Sequence, residues 1–146
     1  MLNNKKGVFV FVIASLVFGS LASSDTSNDL WYQNLNKSNL NPPGYIFGIV
    51  WPILYFLMSI SAYRTFNSIK NLFYVQLILN TIWSWLFFSF HMPLISLIDI
   101  NLLIFLNIFI FFKMLKEDIF SGVIYLPYIM WLMFASYLNI FIVLNN

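Results

Sequence analysis

Asp99 is the one acid inside an apolar run, PLISLIDINLLIFLN. A carboxyl group at membrane depth is costly and marks a candidate site, with Asn80, Asn101 and Asn107 as its expected partners. It also falls about two turns after the helix start at Pro93, where a wet interface or the positive end of the helix dipole gives it a structural place. That structural reading is preferred. The remaining polar chemistry is amide and indole. In FYVQLILNTIWSWLFFSF, the residues Gln76, Asn80, Trp83, Ser84, Phe87 and Phe88 fall at offsets 0, 4, 7, 8, 11 and 12, one stripe of a helix. Amides facing lipid are expensive, so the stripe is expected to face inward, either as interhelical glue or as the wall of a cavity.

Two more stripes accompany it. In YLPYIMWLMFASYLNIFIVLN, Tyr128, Trp131, Ala135, Leu138 and Asn139 share a face, and a tryptophan beside a small residue there leaves room for a flat guest or packs as ordinary core. Phe47, Trp51, Leu54, Tyr55, Met58 and Ala62 line up on a third helix. Three aromatic stripes predict a pocket, in which indole faces supply stacking area and Asn80 or Asn139 receives a carboxylate or carbonyl. Pro52 and Pro127 remove backbone hydrogen bonds and favour bends that open space between helices. No catalytic set emerges: there is no cysteine, no Ser-His-Asp arrangement and no glycine-rich phosphate loop. His91 stands alone, so no metal site is expected, and it is read as an interfacial residue in the tight turn after the third helix. GYIFG, residues 44–48, is a single GxxxG that points to close helix packing.

These residues need elements to hold them, and the composition says which. The chain of 146 residues is 61% hydrophobic and 8% charged, against about 25% charged for soluble domains. Seven Lys/Arg and five Asp/Glu cannot cover a soluble surface, and a net charge of +2 gives no reason to expect nucleic acid. Five apolar segments, 7–22, 45–63, 72–90, 93–112 and 121–144, run 16 to 24 residues each, and about 20 residues of helix cross the hydrocarbon core. They lack the roughly ten-residue alternation of barrel strands, so an all-α bundle of five transmembrane helices in a lipid bilayer is expected, one domain over 1–146 with a loop at 23–44. The first segment also carries the basic start and Ser20-x-Ala22 ending of a cleavable signal peptide; it is read as the first helix because four would otherwise have to close the bundle. Lys5, Lys6, Arg64, Lys70, Lys113 and Lys116 fall on one side of five spans and only Lys37 on the other. The positive-inside bias then predicts a cytoplasmic N-terminus and an outside C-terminus, with the 64–71 and 113–120 loops cytoplasmic.

Trp31-Tyr32, Leu35, Lys37, Pro42-Pro43, Phe47, Trp51 and Leu54-Tyr55 resemble the first signature of the TspO family, also called translocator proteins, tryptophan-rich sensory proteins or peripheral benzodiazepine receptors. The resemblance continues through NTIWSWLFF (Asn80 to Phe88), Asp99 and PYIMWLMFASYLN (Pro127 to Asn139), and covers roughly residues 31–145. It implies a membrane bundle, usually a homodimer, with a pocket under a lid formed by the first long loop. Trp31, Lys37 and the Pro42-Pro43 turn would belong to the lid, and Trp51, Asn80, Trp83, Trp131, Ala135 and Leu138 to the pocket wall, beside Phe47 and Asn139 from the stripes.

The resemblance also implies ligands. The family binds tetrapyrroles such as protoporphyrin IX or haem, and its animal members bind cholesterol and synthetic isoquinoline or benzodiazepine compounds. A binding protein or sensor for a flat apolar ligand is therefore the leading expectation, with no required cofactor. A light-dependent porphyrin-degrading enzyme and a transporter are the alternatives. Three departures matter. Ser38 stands where the family usually has proline, which predicts a looser lid. No Lys or Arg follows Tyr137, so the proposed sterol motif lacks its basic residue and sterol binding is not expected. The third helix has no glycine or alanine for the close contact by which some members dimerise.

Overall fold

The computed structural model describes residues 3–146. Its order is α1 (Gly7–Ala22), a short α2 (Leu30–Asn34), α3 (Gly44–Arg64), α4 (Phe66–Ser84) continued by a π-turn at Trp85–Ser89, α5 (Pro93–Glu117) and α6 (Ile119–Asn145). Four of these, from α3 onward, are long and apolar enough to cross a membrane; α1 is shorter, at 16 residues, or about 24 Å at 1.5 Å per residue. α1 packs against α3 and α4, burying Val8, Val12 and Ser15, so the chain is a multi-pass membrane protein built as a five-helix, all-α bundle with α2 lying in the first loop. Outward-facing Ile13, Phe56, Ile98, Phe105 and Met130 are exposed in the isolated chain, the surface that lipid covers.

Two loops expected from hydropathy are not loops. α4 begins at Phe66 rather than 72 and α5 runs to Glu117 rather than 112, so the predicted 64–71 and 113–120 connections shrink to Thr65 and Asp118. Hydropathy marks the lipid-facing length only, whereas a helix continues as long as its polar end finds partners. Those partners are present: Lys70 Nζ donates to Asn3 at 3.0 Å, Lys113 Nζ to the Ser68 carbonyl at 3.2 Å, and the Ser68 hydroxyl to Glu117. At the α5–α6 corner the Arg64 guanidinium donates to Asp118 Oδ2 at 2.6 Å, and it and Ser121 hold that carboxyl down at about 2.

The core is polar at its centre as well as apolar. Tyr128 donates to Gln76 Oε1 at 2.7 Å, Asn80 to the Tyr128 hydroxyl at 2.6 Å, Asn107 to Gln76 Oε1 at 3.4 Å, and Tyr125 to Asn107 Oδ1. All five side chains are buried, on α4, α5 and α6. A second set joins the same helices nearer the α4–α5 turn, where Asn139 Oδ1 accepts from Trp83 Nε1 at 3.2 Å and Ser96 at 3.0 Å, and its amide donates to the Pro93 carbonyl. On the α1 side, Ser15 donates to the Leu77 carbonyl at 3.1 Å and bonds Thr81 at 2.8 Å.

The glycines correct another expectation. Gly44 and Gly48 have nothing within 4 Å of where a side chain would begin, so the GxxxG serves no close packing among the described residues. The close approach is at Gly122, where a Cβ would lie 2.7 Å from Leu115 Cγ and 3.3 Å from Leu115 Cα. Gly122→Ala should therefore cost about 1–3 kcal/mol by overpacking and lower the thermal midpoint in detergent, and Leu115→Ala in the same chain should restore part of it. A midpoint unchanged by Gly122→Ala would show that the corner has slack. Five crossings also put Ser68 and Asn145 at opposite ends. Single cysteines at these positions should label from opposite faces of sealed vesicles, and labelling of both from one face would break the five-span topology.

Candidate functional site

The expected wall residues come together in two adjoining groups. On α3 and α6, Phe47 and Trp131 meet edge to face at 5.8 Å, Trp51 and Trp131 at 6.3 Å, and Trp51 and Tyr55 at 5.9 Å between ring centres. Toward the π-turn, Trp83 stacks on Phe87 at 5.6 Å and meets Phe88 at 5.9 Å, in one cluster with Ala135, Ile100 and Ile142. Trp51 packs against both groups. Leu138, 7% exposed, is buried on α6 one turn beyond Ala135. Two open hollows lie elsewhere: one of about 310 Å³ between α1 and α4, beside Ser15, Tyr74 and Thr81, and a shallow one on the outer face of α5 at Leu97, Asn101 and Phe105.

Asn80 and Asn139 are both engaged in the interhelical bonds described above, so in this arrangement their amides act as glue. The partners expected for Asp99 are a clear miss. Asn80 and Asn107 are committed to Tyr128, Gln76 and Tyr125, and exposed Asn101 donates to its own Leu97 carbonyl. Asp99 itself is 8% exposed and makes no hydrogen bond among the described residues, and of its two carboxylate oxygens Oδ2 is enclosed. The indole Nε1 of Trp131 is likewise enclosed and unpaired.

The loop over this end is tied down on three sides. Asp29 caps α2 by accepting from the Trp31 backbone N–H at 3.0 Å, and its other oxygen lies 2.9 Å from His91 Nε2. His91 adopts φ 54°, a left-handed conformation that only a tight turn asks of a non-glycine residue, and this presents its ring to Trp31 in a stack at 4.2 Å. Trp31 also meets Phe87 at 5.9 Å, and Tyr32 meets Phe88 at 5.7 Å. On the α6 side, Asn36 and Asn146 exchange backbone and side-chain hydrogen bonds at 2.7 and 3.2 Å. Ser38, expected to loosen the loop, instead binds it: buried, it lies 3.0 Å from the Tyr137 hydroxyl and accepts from the Leu40 N–H, bonds a proline could not make. Lys37 donates to the Tyr32 carbonyl and sits 4.4 Å over its ring, where burial pulls its ammonium below the usual range. Pro42 and Pro43 close the loop and lead into α3 at Gly44.

Sequence reasoning missed His91 as the latch. Its only signal was its place in a two-residue turn facing a tryptophan-bearing loop, and pairing across 62 residues leaves no local pattern. The stack and the Asp29 bond together should hold the loop by about 1–2 kcal/mol, given partial exposure. His91→Gly keeps the backbone conformation and removes the ring, so amide exchange across Leu30–Asn34 should rise about 10-fold with the bundle's own exchange unchanged. Equal exchange in both proteins would show that the latch carries no load.

Comparison with known proteins follows the same outline. Residues 8–144 match the profile of the TspO/MBR family. The chain is 34% identical to the tryptophan-rich protein TspO of Archaeoglobus fulgidus over 92% of its length and 94% of the relative's. It is 36% identical to the protein of that name in Chlorobaculum tepidum, over 80% and 79% of the two chains. It is 34% identical to the tryptophan-rich sensory protein of Cereibacter sphaeroides, over 76% and 73%.

Proposed function

The chain belongs to the TspO/MBR family, and from that premise we propose that it is a membrane-embedded binding protein and sensor for a flat, apolar ligand of the tetrapyrrole class, taken up between α3, α4 and α6 beneath the first loop. The observation that carries this reading is the Phe47–Trp51–Trp131 group, in which an indole N–H is left buried without a partner inside a bundle whose buried side-chain amides are paired. Edge-to-face rings can turn to face a planar guest, exchanging ring-on-ring contact for ring-on-ligand contact of similar area. Ala135 adds no bulk behind them. The name of the Cereibacter sphaeroides relative describes a sensory protein, and the same role is proposed here. The basic residues at the Lys5, Arg64 and Lys113 end put that end in the cytoplasm by the positive-inside bias, so the ligand mouth and its loop face away from it.

Protoporphyrin IX should quench the tryptophan emission of the detergent-solubilised protein saturably. Trp131→Ala should weaken that binding about 10-fold while leaving the other four tryptophans to report it. An unsaturable titration, or one indifferent to Trp131, would remove this site as the binding pocket.

A further inference from the structure

In a helical bundle immersed in lipid, buried polar atoms without partners are rare enough to need a reason. Three occur among the described residues: the Tyr74 hydroxyl, Asp99 Oδ2 and Trp131 Nε1. Tyr74 borders the hollow between α1 and α4. The other two belong to facing helices. Hydrogen bonds from Tyr125 to Asn107 and from Ser96 to Asn139 set the antiparallel register of α5 against α6. Asp99 lies between Ser96 and Asn107, and Trp131 between Tyr125 and Asn139, so the two fall within about 8 Å of one another along the bundle axis at 1.5 Å per residue. One is an acceptor and the other a donor, yet they do not satisfy each other. A carboxyl group buried without a partner costs free energy that a donor brought in by a guest would return.

We propose that Asp99 and Trp131 are the two polar recognition points of the pocket, Asp99 accepting from an N–H on the ligand and Trp131 donating its indole N–H to a carbonyl or ring nitrogen. This rests on the ligand reading above and sharpens it: the preferred guest is a planar ring system carrying an N–H donor, and a ligand's carboxylate edge is turned away from Asp99.

Three tricycles of nearly one shape test it. Fluorene has neither group, carbazole adds an N–H, and fluorenone adds a carbonyl. Equilibrium dialysis against the detergent-solubilised full chain, with protein-free micelles as the reference, should find carbazole and fluorenone each bound about 10-fold more tightly than fluorene, the discrimination expected of one buried hydrogen bond. Asp99→Leu should abolish the carbazole preference and leave that for fluorenone; Trp131→Phe should do the opposite. If Asp99→Leu fails to fold, Asp99→Asn, which keeps an acceptor but not the charge, should cut the carbazole preference several-fold. Saturable protoporphyrin IX quenching alongside equal binding of all three tricycles, or preferences that survive the substitutions, would overturn the assignment of Asp99 and Trp131 while leaving the pocket. Failure of protoporphyrin IX and of every tricycle to bind would remove the ligand reading together with this inference.

Discussion

A helix surrounded by hydrocarbon has no water to fall back on, so a polar side chain it carries inward is costly unless its own helix or a neighbouring one supplies a partner. The bonds among Gln76, Asn80, Asn107, Tyr125 and Tyr128 meet that demand at the bundle centre, and most other features follow from them. Apolar packing alone distinguishes poorly between rotations of a helix when lipid is as greasy as the core. Amide and phenol partners fix the register and fine rotation in which the inward faces of α4, α5 and α6 meet. Once those faces are set, Trp83, Trp131, Ala135 and Asp99 are carried to positions that each helix alone would not specify.

The same constraint separates glue from site. Asn80 and Asn139 sit on inward stripes and are fully engaged with protein partners, whereas Asp99 Oδ2 and Trp131 Nε1 are enclosed atoms left over. Enclosure is shared by these polar atoms; satisfaction is not. The α6 stripe thus divides, with Tyr128 and Asn139 tying helices together and the Trp131 indole N–H left without a protein partner. The loop at the same end has an opposite problem, an irregular backbone that needs holding. It recruits the α4–α5 turn through His91 and α6 through Tyr137 and Asn146, so helix ends far apart in the chain carry it jointly.

The number of membrane-crossing helices, their approximate spans and their inward faces were legible because hydropathy and the 3.6-residue period are properties of consecutive residues; the short α2 inside the expected 23–44 loop was not. The tryptophan and amide stripes were legible from spacing alone, and the family was legible too, since NTIWSWLFF and PYIMWLMFASYLN keep their motifs in order. Where the reading failed, it treated a polar end as a loop, as between α3 and α4. It also took Gly44 and Gly48 for a packing motif when the close contact was at Gly122.

The sequence by itself determined that this chain lives in a membrane as a helical bundle and which residues face inward. Both follow from transfer free energies and periodicity that act locally. Tertiary structure alone decided which inward polar atoms are paired: that Asn80 meets Tyr128, that Ser38 anchors rather than loosens its loop, that His91 stacks on Trp31, and that Asp99 has none of its expected partners. Those outcomes depend on the register and rotation of helices separated by tens of residues, set by all the contacts at once, and no window along the chain contains that information.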